Sequence, residues 1–203
     1  METDNIDTYY RNALKSKQCK ILVPYAKAKS MSWEEAVDLA MRTTYSDRTQ
    51  GTGKEVHFDY DAKDRSILSP IVLGTQCFVS VVRVNKSQDM GSFHTHPKHG
   101  LCFFSEPDIK TAYATNESVV ALGCPANEMV IELPLALKPK ADFMQWFTQT
   151  GKQLQKIAQQ SMFRLAMQGK TNLTEASNDE LNAFVQKEIV AFGGNVTKWK
   201  LEK

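Results

Sequence analysis

GSFHTHPKHGLCFFSEPD, running from Gly91 to Asp108, holds three of the chain's four histidines and closes on a serine and an aspartate. Met90 to His96 reads as a strand that stops at Pro97, which has no N–H to give to a ladder. On such a strand His94 and His96 share one face, with their alpha carbons roughly 6–7 Å apart at a rise of about 3.3 Å per residue. Two imidazoles so placed can converge on one ion. A zinc site that does chemistry takes a third protein ligand and leaves one position to water. Asp108 can be that ligand: the loop Pro97 to Phe104 lets the chain turn back, and a helix beginning near Pro107 can aim the carboxylate at the histidines. Ser105 and Asp108 also have a purely structural reading, because S-x-x-D is a common helix cap.

The rest of the chain supplies a frame for this stretch. In MSWEEAVDLAMRTT, Ser32 and Glu35 form a capping box, and Trp33, Ala36, Val37, Ala40 and Met41 recur at helical spacing, which predicts a helix over Trp33 to Arg42. A short helix is expected around Asp7 to Lys17. Val56, Phe58 and Tyr60 alternate with polar residues as in a half-buried strand, and SILSPIVLGTQCFVSVVRVN, broken at Gly74, predicts two more. Pro107 to Ala114 is expected to be helical, and SVVALGCPANEMVIELPL to be a hairpin turning at Pro125 to Asn127. Beyond Pro139 apolar residues from Phe143 to Ala166 line a long helix, eased at Gly151. A second helix, Asn178 to Ala191, ends at Gly193-Gly194. Helix, strands, short helix, hairpin and terminal helices together predict an α+β fold with a mixed sheet.

Composition excludes several classes. The 203 residues are 42% hydrophobic and 24% charged, enough for one sizeable core. With 25 basic against 23 acidic residues the net charge is +2, so no strong field for nucleic acid or a membrane surface exists. No apolar run reaches the length that spans a bilayer, and the start METDNIDTYYRN is polar rather than a targeting signal. Cys19, Cys77, Cys102 and Cys124 are far apart and form no C-x-x-C pair, so they read as reduced thiols of a cytoplasmic protein. The four N-x-S/T matches, at Asn85, Asn116, Asn172 and Asn195, are then incidental.

His94-Thr95-His96-Pro97, seven residues, then Ser105-Glu106-Pro107-Asp108 resembles the H-x-H-P-x7-S-x-x-D signature of the JAMM (MPN-plus) metallopeptidases. The resemblance covers about Trp33 to Leu137. It implies a cytidine-deaminase-like α/β/α sandwich with a mixed, curved sheet in a core of residues 31–138. An N-terminal extension (1–30) and a C-terminal helical extension packed on the core (139–203) flank it. It further implies that His94, His96 and Asp108 bind zinc, that Ser105 steadies the oxyanion, and that an upstream glutamate is the general acid/base. The reaction implied is hydrolysis of peptide or isopeptide bonds, often at the C-terminus of a ubiquitin-like protein.

The family's glutamate opens a strand after the first helix, the place Glu55 takes 39 residues before His94. Glu34 and Glu35 compete by distance but sit in a first helical turn, where the helix dipole favours acids for structural reasons. After Glu55 the chain continues Val56-His57-Phe58 where many members have a glycine-containing apolar segment. His57 then reads as a surface or partly buried residue, or as a support for the site. His99 reads as a solvated loop residue or a substrate contact, and Cys102 as loop packing. The intervals from Glu55 to His94 and after Asp108 are short, whereas ubiquitin-specific members carry sizeable insertions there. Other readings stay open: a non-catalytic MPN-type scaffold, a structural zinc closed by His99 or Cys102, and a hydrolase of another amide. Aromatics and methionines of the C-terminal helices are core packing or a homodimer surface.

Overall fold

Trp33 marks where the first core forms. In the computed structural model, which describes residues 3–15, 19–49, 54–74, 89–96, 102–135, 139–168 and 173–201, it lies 5.7 Å from Phe58, 5.6 Å from Phe93 and 4.2 Å from Tyr60 by ring centroids. It opens helix α3 (Trp33–Thr49), which follows α1 (Thr3–Leu14) and the short α2 (Tyr25–Ala28). The predicted capping box starts α3: Ser32 Oγ accepts the Glu35 N–H at 3.1 Å, and Glu35 Oε2 accepts the Ser32 N–H at 2.8 Å. Satisfying two otherwise orphaned amides sets the helix start at Trp33.

Among the described residues seven strands form one mixed sheet, β1 (Lys20–Val23), β2 (Val56–Asp61), β3 (Ile71–Leu73), β4 (Met90–Thr95), β5 (Val119–Cys124), β6 (Met129–Pro134) and β7 (Asn195–Lys198). Their order is β1-β3-β2-β4-β5-β6-β7. Among the described strands only β4 and β5 pair in parallel, and α4 (Glu106–Ala114) makes the crossover between them. The hairpin β5–β6 turns through Pro125–Asn127 as expected, with Glu128 in the left-handed region at φ 49°. Of the two strands expected in Ser66 to Asn85, β3 is present; the stretch after Gly74, with Cys77 and Asn85, lies outside the described residues.

Strand alternation sorts side chains to two faces. Val56, Phe58, Tyr60, Phe93, Ala121 and Val130 join Ala36, Val37, Ala40 and Met41 of α3 in one core. On the other face Val120, Leu122, Ile131 and Leu133 pack under α4, α5 (Lys140–Met167) and α6 (Leu173–Phe192), while α1 covers Val72 with Ile6, Tyr10 and Leu14. Both C-terminal helices are longer than the sequence reading had them. α5 runs unbroken through Gly151, where a Cβ would meet nothing within 4 Å, and α6 ends at Gly193 with φ 98°. The chain then adds β7 to the sheet edge beside β6, a strand that the helical reading of the C-terminal segment does not contain.

The cysteines require a correction. Cys102 and Cys124 are joined as a disulfide, so two of the thiols expected to be reduced are not free. The pair is 22 residues apart in sequence and has no motif; the end of β5 and the loop before α4 meet only through the tertiary fold. The thiol argument for a reducing compartment goes with it. Among the described residues no helix is long and apolar enough to cross a membrane.

Candidate metal centre

β4 delivers the first two candidate ligands. Its antiparallel register with β2 pairs His57 with His94 and Phe58 with Phe93, so His94 lies on the face opposite the α3 core. His96 follows two residues on, just past the strand, and its N–H is accepted by the Gly123 carbonyl at 2.9 Å. The two Nε2 atoms are 3.2 Å apart. Thr95 between them points the other way. Its Oγ1 accepts the Val56 N–H at 2.9 Å and meets Thr44 Oγ1 of α3 at 2.5 Å, pinning β2 and α3 to the end of β4.

α4 delivers the third. Ser105 is its N-cap: Ser105 Oγ accepts the Asp108 N–H at 3.3 Å, and Asp108 Oδ2 accepts the Ser105 N–H at 2.7 Å. Pro107 sits in the first turn, where its missing N–H costs nothing. The cap holds the carboxylate so that Oδ2 is 3.5 Å from His94 Nε2 and 3.5 Å from His96 Nε2. Three donor atoms thus form a triangle with sides of 3.2, 3.5 and 3.5 Å. Bonds of about 2.0–2.1 Å to a tetrahedral ion put its ligands about 3.3–3.4 Å apart, so the set could hold a metal ion of zinc's size. Among the described residues no fourth His, Cys or carboxylate joins it.

Electrostatics tie the three together. Burial works against the carboxylate, yet hydrogen bonds from His94, His96 and Ser105 hold Asp108 far below the ordinary range. Burial likewise works against the His94 cation, but Asp108, aided by the charges of Glu55 and Glu117, raises its pKa above the usual value. Glu55 is half-buried at the head of β2, its carbonyl accepting the Gly74 N–H at 2.9 Å. By alternation it shares the face of His57 and His94. Glu35 is spent on the α3 cap, and Glu34 stands beside it in the same first turn.

His57 Nε2 lies 3.3 Å from Asp59 Oδ1, and Tyr10 OH donates to Asp59 Oδ2 at 3.5 Å, so His57 belongs to a polar cluster under α1. His99 falls outside the described residues, and Cys102 is disulfide-bonded and so cannot close a structural zinc shell. Three contributors escaped the sequence reading. Thr95 could have been suspected as the inward residue between two outward histidines. Glu117, which accepts from Ser92 Oγ at 2.5 Å, and Cys124 carry no local signal. No protein-family model, curated protein or solved structure matches this chain.

Proposed function

We propose that this protein is a zinc-dependent hydrolase of the JAMM type, cleaving peptide or isopeptide bonds, and that its sheet and helices are the family's cytidine-deaminase-like α/β/α sandwich. The observation that carries the reading is the 3.2, 3.5 and 3.5 Å triangle of His94 Nε2, His96 Nε2 and Asp108 Oδ2, built by the residues of the H-x-H-P-x7-S-x-x-D motif. Among the described residues the donor set has three members, which supports a catalytic rather than a closed structural site.

A zinc ion at this site would supply Lewis acidity, lowering the pKa of water toward about 7 and polarising a carbonyl. Glu55 takes the proton from the attacking water and returns it to the leaving nitrogen, a role suited to a carboxylate on the His94 face. The Ser105 hydroxyl accepts the Asp108 N–H, which leaves its own O–H free to donate to the carbonyl oxygen as negative charge develops there. Ser105 is exposed, as a residue that meets substrate must be.

An extended protein tail, of the kind a ubiquitin-like C-terminus offers, suits a site at the end of a strand. Only ten residues separate Asp108 from Val119 at the start of β5, and they are filled by α4 and its turn. This favours short peptide tails over a large dedicated docking platform. The test is cleavage by zinc-loaded protein of fusions bearing ubiquitin-like C-terminal tails, beside Glu55→Gln. Cleavage that disappears in the variant while zinc stays bound is the expected result. Unchanged cleavage moves the proton transfer to another acid; zinc binding with no hydrolysis of any tail favours the MPN-type scaffold.

A further inference from the structure

His94 and His96 are fixed relative to one another by two residues of backbone, but Asp108 arrives on a different element: the Ser105–Asp108 cap sets where α4 begins, not where the helix lies relative to the histidines. Three of the four residues before the helix are held from elsewhere. Cys102 is bonded to Cys124, the last residue of β5. Cys124 directly follows Gly123, whose carbonyl accepts the His96 N–H, so His96 and Cys102 are attached to neighbouring residues of one strand. The Cys102 N–H is accepted by Asn182 Oδ1 of α6 at 3.4 Å. Phe103 stacks on Phe147 of α5 at 5.4 Å and 10°, with Trp146 edge-on at 6.3 Å. Phe104 is buried, its ring 6.4 Å from that of His94. Ser105 is the cap itself.

Resting on the metal reading above, we propose that the Cys102–Cys124 disulfide and Phe147 are positioning residues for the metal centre: with α6 they clamp the loop before α4 and so hold Asp108 Oδ2 at bonding range of the two histidines. A third ligand must be placed to within about 0.5 Å for a tetrahedral set, and a loop free at Cys102 and Phe103 would not hold it there. The C-terminal helices thereby become part of the metal site. Opening the disulfide lowers metal affinity in a protein that is still folded.

The test measures zinc affinity of the full-length oxidised protein by competition with a chromophoric chelator, alongside thermal unfolding of the metal-free form. Cys102→Ala/Cys124→Ala removes the covalent hold without creating thiols that could themselves bind zinc. Phe147→Ala leaves the disulfide intact and loosens the aromatic hold. Leu14→Ala, at the end of α1 and away from the loop, serves as a destabilised control. The expected result is affinity about tenfold weaker or more in the double variant and weaker also in Phe147→Ala, the scale of losing a group that orients a ligand. Leu14→Ala should lower the melting temperature and keep wild-type affinity. Wild-type affinity in a folded double variant with lowered melting temperature makes the disulfide merely structural and overturns the proposal. If the double variant does not fold, wild-type affinity in Phe147→Ala overturns it. Failure of the wild type itself to compete for zinc sinks the metal reading, an outcome separate from the variants, and this inference with it.

Discussion

Asp108 Oδ2 accepts the Ser105 N–H and also faces both imidazole nitrogens, so the helix cap and the candidate ligand are one atom. The structural and functional readings of S-x-x-D therefore coincide. Asp108→Asn separates them, because the amide oxygen can still accept the capping N–H while the charge is gone. It should abolish metal competition, lower the melting temperature of the metal-free protein by removing the charged His94–Asp108 pair while the cap survives, and return His94 toward its ordinary pKa in an NMR titration of the imidazole. The pH dependence follows from the two shifts. His94 is raised, so its contribution to metal-free stability is full below about pH 6.5 and is lost as pH rises through its folded pKa. Asp108 is lowered, so its contribution is present above about pH 4 and is lost as pH falls through its folded value. Both belong to one interaction, which is greatest between those limits. Metal needs neutral imidazoles. Stabilisation by zinc should accordingly grow as pH rises past His94's raised pKa, where the metal-free protein weakens; thermal unfolding with chelator or with zinc at a series of pH values checks both signs.

The elements differ in how much spare room they have. At Gly123, a Cβ would lie 2.6 Å from Phe93 Cζ and 2.7 Å from Met41 Sδ, so Gly123→Ala pushes the end of β5 away from β4. That end accepts the His96 N–H and carries Cys124. The substitution should cost about 1–3 kcal/mol by overpacking, read in denaturant unfolding, and weaken zinc binding as well. Gly151 is the opposite case. It lies exposed within α5 with open space around its missing Cβ, so Gly151→Ala should stabilise by about 0.5–1 kcal/mol in the same measurement and leave zinc affinity unchanged. The helix and strand types around the motif were legible because capping boxes and two-residue or helical periodicity are read within a few positions. β7 was not: Asn195 to Lys198 is short and mostly exposed, and its pairing with β6 is decided by where α6 delivers the chain.

At the scale of the whole molecule a bound metal, the disulfide and the apolar cores would act on one folding equilibrium. If zinc binds only the folded chain, a concentration of about 100 times Kd should add about 2.7 kcal/mol, a rise of roughly 5–10 °C in melting temperature for a chain of this size. The rise should disappear in a His94→Ala/His96→Ala variant, and its absence from the wild type would count against the site. The 22-residue separation of Cys102 and Cys124 gives their bond a contribution of about 3 kcal/mol through the unfolded chain. That global term is separable from its effect on the metal, because chain entropy changes stability without moving Asp108. The far end of α5 exposes Phe163 and Met167 at 68% and 76%, whereas Phe143, Leu154 and Leu165 on the same helix are buried. Apolar periodicity alone could not tell those two groups apart.

The sequence by itself determined what depends on neighbours along the chain: two histidines on one strand face, a serine and aspartate capping one helix, and apolar stripes of the right period. Tertiary structure alone decided that Glu55 stands near enough to His94 to shift its pKa, and that α5 and α6 grip the loop before α4 through Phe147 and Asn182. It also joined Cys102 to Cys124. Such contacts leave no spacing to read, since the partners meet only after both faces of the sheet have buried their apolar side chains.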